Sequence, residues 1–274
     1  MNDLLTRALS GLIYSTIIII TLFITKEWFF IVFFILGCLT IYEYLKLVNI
    51  KSFIPYILLA LLFLAFNLYA VKPYSLIFFL LPSLLINGIL IYDLFTVKTI
   101  FAPPTLKKKQ QKRRYACVIF YLISGFVFLT QIAFIDKNFT PKILVGIFIL
   151  VWANDTFAYL VGKNFGKHKL MPLVSPKKTI EGFIGGIIGT IIISFIIFTF
   201  TQIYSMLIWI ILACIVAIFG TVGDLVQSKF KRQAGVKDSG TIMPGHGGLY
   251  DRLDSMLFAS PFVYSFLEII NYVS

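Results

Sequence analysis

Long apolar runs alternate with short polar interruptions along this chain, and the runs are apolar on every face rather than along one helical stripe. Several approach roughly 20 residues, the length a helix needs to cross a hydrocarbon layer of about 30 Å. Read from the breaks, the pattern predicts nine helices: Gly11–Thr25, Trp28–Leu47, Phe53–Val71, Tyr74–Val97, Tyr115–Ile135, Lys142–Val161, Gly182–Thr201, Met206–Val226 and Leu249–Val273. The expected fold class is therefore all-α, a polytopic integral membrane protein with about nine transmembrane helices. About five fall in an N-terminal part, 1–140, and about four in a C-terminal part, 141–274, which also carries the polar loops. The first run ends on Lys26, Glu27 and Trp28 rather than on the small residues of a cleavage site, so it reads as a retained helix.

Composition supports this class: 59% of residues are hydrophobic, 13% are charged, and the mean hydropathy is +0.94. The net charge of +12 acquires its meaning from where the cations sit. With the N-terminus in the cytoplasm, only Lys26, Lys72, Lys137 and Lys142 remain on the far face, and the other cations share the cytoplasmic face. The charge thus calls for no nucleic acid; topology and attraction to anionic membrane lipid account for it. The run Lys107–Arg114, "KKKQQKRR", reads as a polybasic loop between spans, without paired acids. Cys38, Cys117 and Cys214 lie inside apolar runs at unrelated spacings and imply neither disulfide nor metal site.

Ionisable residues inside apolar runs are costly, and they gather around protein interiors or water-filled cavities. Glu43, Asp93 and Glu268 stand near helix ends, where structural or interfacial roles suffice. Asp155 and Asp224 stand near the cytoplasmic ends of the sixth and eighth helices, where both could face one cavity. If the eighth helix continues, Asp224, Ser228 and Lys231 share a face; in the ninth, Asp251 and Asp254 share one, with Arg252 turned aside. Between them "GVKDSGTIMPGHGG" has five glycines and a proline and must be a loop. Taken singly, Asp254, Lys229 or His246 could simply tie helix ends. Gathered in one short segment, acids, bases and glycines suit a metal-bound polyphosphate: carboxylates hold Mg²⁺, cations neutralise phosphate, and glycines admit backbone N–H groups to its oxygens. There is no GxxxxGK[ST] and no HExxH, so any such site has another design.

The run from Ser228 to Asp254, "SKFKRQAGVKDSGTIMPGHGGLYDRLD", closely resembles the signature of the phosphatidate cytidylyltransferases, or CDP-diacylglycerol synthases. Met243 departs from the Leu, Ile or Phe of that pattern but remains apolar. A second stretch, "ANDTFAYLVGKNFGKHKLMPLVSPKKTIEGFIGG" from Ala153 to Gly186, is similar to the family's other marked region. Together these cover roughly residues 150 to 260. The resemblance implies an enzyme that converts CTP and phosphatidic acid into CDP-diacylglycerol and pyrophosphate with Mg²⁺ and room for a second cation, in a bacterial plasma membrane with its site cytoplasmic. It implies Asp224 and Asp251 as metal ligands with Asp254 beside them, and Asp155 as general base or supporting carboxylate. Lys231, Arg232, Lys237 and Arg252 would hold CTP or pyrophosphate oxygens, and Lys177 and Lys178 either substrate's phosphate. Ser175, Ser228, His246, Gly247 and Gly248 complete the expected substrate-binding set. Gly185 and Gly189 form a GxxxG that serves packing, within the subunit or in a homodimer, whereas Gly182, beside Glu181 and the SPKKT run, is expected to shape the site. Two rivals are weaker: a transporter would show repeats and midplane charges, and a CDP-alcohol phosphotransferase would show a DGxxAR-type segment.

Overall fold

A computed structural model of the chain describes residues 3–67, 73–96, 107–136, 138–245 and 247–273. Its elements are α1 Asp3–Ile24, α2 Lys26–Leu47, α3 Ile54–Asn67, α4 Pro73–Phe95, α5 Lys107–Cys117, α6 Ser124–Ile132, α7 Pro141–Phe165, β1 Lys169–Met171, β2 Ser175–Thr179, α8 Ile180–Thr201, α9 Met206–Gln233 and α10 Tyr250–Val273. A π-helical turn, Val118–Ile123, joins α5 to α6, so the two form one continuous rod. Each expected helix is found in its place. Among the described residues, seven stretches are long and apolar enough to span a membrane, and two apolar stretches, Leu9–Ile24 and Ile54–Phe66, are shorter. The expected Phe53–Val71 helix is described only to Asn67, and its 14 residues in α3 rise about 21 Å, less than a hydrocarbon layer.

Helix ends follow local chemistry. Thr25, extended at φ −150°, interrupts α1 and α2, and its hydroxyl accepts the Trp28 N–H at 3.3 Å. Thr179 starts α8 in the same way, accepting the Gly182 N–H at 3.1 Å. The polybasic run departs from its expected loop: residues 107–114 are the first turns of α5, because Lys, Gln and Arg are good helix formers and the following span propagates the helix. Nor does that run lack an acid, since Arg113 pairs with Asp93 of α4.

The α5–α6 rod forms the middle of the bundle. Tyr121, Phe126 and Phe128 on it are fully buried, and α10 packs along it, where the Ser260 hydroxyl donates to the Gly125 carbonyl at 2.7 Å. Large apolar side chains instead line the outer faces, among them Ile20 of α1, Phe78 and Leu85 of α4, and Ile188 of α8, as a lipid-facing surface requires. Along the α7–α8 seam the GxxxG works within the chain: a Cβ on Gly185 would lie 2.5 Å from the Val161 side chain, and Gly189 abuts Phe157. The protein is thus an all-α integral membrane protein, with one small addition that hydropathy did not predict. Strands β1 and β2 pair antiparallel, Lys169 opposite Thr179 and Met171 opposite Ser175, and this hairpin leads into α8.

Candidate active site

The end of α7, the hairpin, the start of α8, the last turns of α9 and the first turns of α10 meet at one end of the bundle around a cavity of about 560 Å³. Asp155 of α7, Lys177 and Lys178 of β2, Asp224 and Lys231 of α9, and Asp251, Arg252 and Asp254 of α10 all line it. The hairpin is what aims the lysines. Successive strand side chains point to opposite sides, so Lys178 turns inward while Lys177 stays exposed at the rim. Helical spacing placed Arg252 away from Asp251 and Asp254, yet it too lines the cavity: it is exposed in the first turn of α10, and its long side chain reaches the rim.

Two lysine–carboxylate pairs organise this space. Lys178 Nζ lies 2.6 Å from Asp224 Oδ2, and the Ser228 hydroxyl donates to Asp224 Oδ1 at 3.2 Å. Burial works to lower the pKa of Lys178, but the carboxylates of Asp224, Asp155 and Asp254 outweigh it and hold the pKa above the ordinary lysine value. Lys178 therefore stays cationic at neutral pH. The second pair joins Lys231 Nζ to Asp251 Oδ1 at 2.7 Å, with the Asp251 side chain only 5% exposed. Because α9 runs on to Gln233, Asp224, Ser228 and Lys231 do share a face, as the sequence pattern required.

Asp251 uses both of its oxygens differently. Oδ1 looks to the cavity side, accepting from Lys231 and, at 2.8 Å, from Gln227 Nε2. Oδ2 is bound into the glycine-rich loop, accepting the Ser239 N–H at 2.9 Å, the Ser239 hydroxyl at 3.0 Å and the Gly248 N–H at 2.9 Å. The loop can come this close only through glycine. Gly247 has φ +87°, and a Cβ there would meet Asp251 Oδ2 at 2.8 Å; a Cβ on Gly248 would collide with the Ser239 hydroxyl and the Glu43 carboxylate. Gly247 and Gly248 thus fit the loop around Asp251 instead of lining the cavity wall.

Other expected site residues lie apart from the wall. Ser175 pairs with Met171 in the hairpin, and Ser228 serves Asp224 from behind. Arg232 donates to the Val174 and Val236 carbonyls at 3.5 and 3.3 Å, tying the hairpin and loop to α9. Lys237 is exposed on the loop, and His246 lies outside the described residues. Lys229, only two residues before Lys231, points the other way and donates to the Asp93 carbonyl of α4. Conversely, Lys163 and Asp238 line the cavity without having been singled out, and Gln227 and Ser239 hold Asp251. Glu43 is the largest surprise. Buried at 1% exposure, it accepts the Leu249 N–H at 3.1 Å, the Tyr250 N–H at 2.8 Å and the Ser239 hydroxyl at 2.9 Å. Its sequence signal was only a carboxylate in an apolar run.

Among the described residues no group of three or more His, Cys, Asp or Glu is placed to hold a metal ion unaided. The donor set nonetheless suits a hard cation: Asp224, Asp254 and Asp155 offer oxygen to the same cavity, and Mg²⁺ takes one or two protein carboxylates and completes its shell with water and phosphate. Asp254 is 7% exposed, and one of its oxygens accepts the Ser255 N–H at 2.7 Å.

Comparison with known proteins bears on this arrangement. Phosphatidate cytidylyltransferases of Staphylococcus aureus (strain COL) and Staphylococcus haemolyticus (strain JCSC1435) are each 53% identical to this chain over 116 residues, 42% of this chain and 44% of theirs. That of Staphylococcus saprophyticus is 43% identical over 145 residues, 52% of this chain and 54% of its own. The chain thus spans about half the length of the curated relatives it matches. The model of the cytidylyltransferase family matches residues 5–270, nearly end to end, and by that match the chain belongs to the cytidylyltransferase family.

Proposed function

We propose that this protein is a CTP:phosphatidate cytidylyltransferase, which transfers CMP from CTP to phosphatidic acid and releases pyrophosphate. The observation that carries the reading is a shared cavity at one end of a membrane bundle, lined by five aspartates together with Lys178, Lys231 and Arg252. Cations there suit a triphosphate and a lipid phosphate together, and family membership supplies the nucleotide.

The reaction needs no protein nucleophile. A phosphate oxygen of phosphatidic acid attacks the α-phosphorus of CTP, the bond from that phosphorus to the bridging oxygen breaks, and pyrophosphate leaves with the electron pair. Catalysis is then mostly positioning and charge neutralisation. Lys178, Lys231 and Arg252 hold phosphate oxygens in line, and Lys177 and Lys163 draw the anions to the rim. Arg232 acts from the last turn of α9 and Lys237 from the loop, Ser175 of the hairpin and Ser228 of α9 support the two walls, and His246 contacts substrate. Asp224 and Asp251, with Asp254 beside them, would hold Mg²⁺, their lysines turning to the substrate phosphates; Asp155 would support them or accept a proton. Mg²⁺, and a second cation if one binds, would neutralise charge on the attacking and leaving oxygens. In this reading 141–274 carries the chemistry and 1–140 supports it. The distribution of Lys and Arg supports a cytoplasmic N-terminus and site, in the plasma membrane of a bacterium.

The test is direct. Purified protein in detergent, given labelled CTP, phosphatidic acid and Mg²⁺, is expected to place label in CDP-diacylglycerol only when phosphatidic acid is present. Label transferred without it, or no transfer at all, rules out this reaction.

A further inference from the structure

Glu43 belongs to the N-terminal half, in α2, yet among the described residues its hydrogen bonds go to the loop and helix around Asp251. Among the described residues it has no cationic partner, although it is one of the most deeply buried charged side chains. Its charge is met instead by the first N–H groups of α10, where the helix dipole favours an anion, and by one hydroxyl. That hydroxyl, of Ser239, lies 2.9 Å from Glu43 Oε2 and 3.0 Å from Asp251 Oδ2. One serine hydroxyl, with a single proton to share between them, thus stands between a carboxylate of α2 and a carboxylate of the cavity.

We propose that Glu43 is a positioning residue for the reaction, holding Ser239 and the start of α10 so that Asp251 presents Oδ1 to the cavity. The inference rests on the proposed cytidylyltransferase function and adds to it a residue outside both signature stretches. Three features support it. Asp251 Oδ2 is committed to the loop, so the direction of Oδ1 follows the loop's placement. The loop is glycine-rich and has little stiffness of its own. And α1 braces the same region, Ser10 donating to the Pro244 carbonyl at 3.0 Å, so the N-terminal helices supply its frame.

Glu43→Gln keeps the shape but turns an NH₂ group toward N–H donors, which repels the loop. Glu43→Gln and Ser239→Ala are compared with wild type and with Asp93→Asn. The last breaks a buried pair to Arg113 at the same end of the bundle without touching Asp251. Two readouts are taken: the Mg²⁺ concentration giving half-maximal transfer, and the rise in melting temperature on adding CTP with Mg²⁺. Glu43→Gln and Ser239→Ala should raise the Mg²⁺ requirement about tenfold, as loss of supporting contacts to a ligating carboxylate does, and shrink the stabilisation by CTP. Asp93→Asn should lower the melting temperature and leave both readouts alone. If Glu43→Gln behaves like Asp93→Asn, Glu43 is only structural and the proposal is overturned. Should Glu43→Gln fail to fold, Glu43→Asp, which keeps the charge and draws the carboxylate back from the loop, decides by the same criteria. An inactive wild type removes the proposed function, and the CTP melting shift still tells whether Glu43 positions the site.

Discussion

Lys229 and Lys231 show how far neighbouring residues of one motif can diverge. Both are buried lysines on α9, but one bonds the Asp93 carbonyl of α4 and the other pairs with Asp251 in the cavity. Lys229→Met should therefore cost about 2 kcal/mol of stability, the worth of a buried charged hydrogen bond, with kcat/KM unchanged. Lys231→Met should lower kcat/KM by roughly a hundredfold, because it removes a phosphate cation and leaves Asp251 without its counter-charge. Thermal melting and steady-state kinetics separate the two. At this scale much was legible: α-helical spacing put Asp224, Ser228 and Lys231 on one face and paired Asp251 with Asp254. Glu43 was not, because its partners lie about 200 residues away, and no local pattern announces a contact of that length. Arg232 and Lys237 stand in the same charged segment but outside the cavity wall: Arg232, next to Lys231 on α9, turns to the Val174 and Val236 carbonyls, and spacing within the loop says little about the direction of Lys237.

At the scale of elements, hydropathy located each helix but missed what happens at the ends. Charged residues at a span's edge read as loop in "KKKQQKRR", whereas good helix formers continue the helix into α5. The hairpin was hidden because three and five residues are too short for a periodic signal, yet it carries Lys178 to Asp224. The α7–α8 seam was legible through its glycines. Gly185→Ala places a methyl group against Val161 and should cost about 2 kcal/mol through overpacking, seen as a lower melting temperature in detergent. It should also weaken activity, since α7 and β2–α8 carry Asp155 and Lys178 on the two sides of that seam.

Across the whole molecule, a lipid-facing apolar shell encloses a bundle most of whose cations lie towards one end, and the two halves of the chain meet there. The apolar shell was evident from composition, and the density of charge near the C-terminus marked the end where chemistry would sit. What composition could not convey was that α2 and α1 brace the loop of the C-terminal half, for that is a property of packing. The central claim is that the carboxylates of α9 and α10 act together in CMP transfer. It is tested most directly by the rate of CDP-diacylglycerol formation in wild type, Asp224→Asn and Asp251→Asn, with folding checked by melting temperature. Asn preserves side-chain size and removes charge, so each folded variant should lose on the order of a hundredfold or more in rate, roughly 3 kcal/mol of transition-state stabilisation. Folded variants that keep wild-type rates would contradict the account of this site.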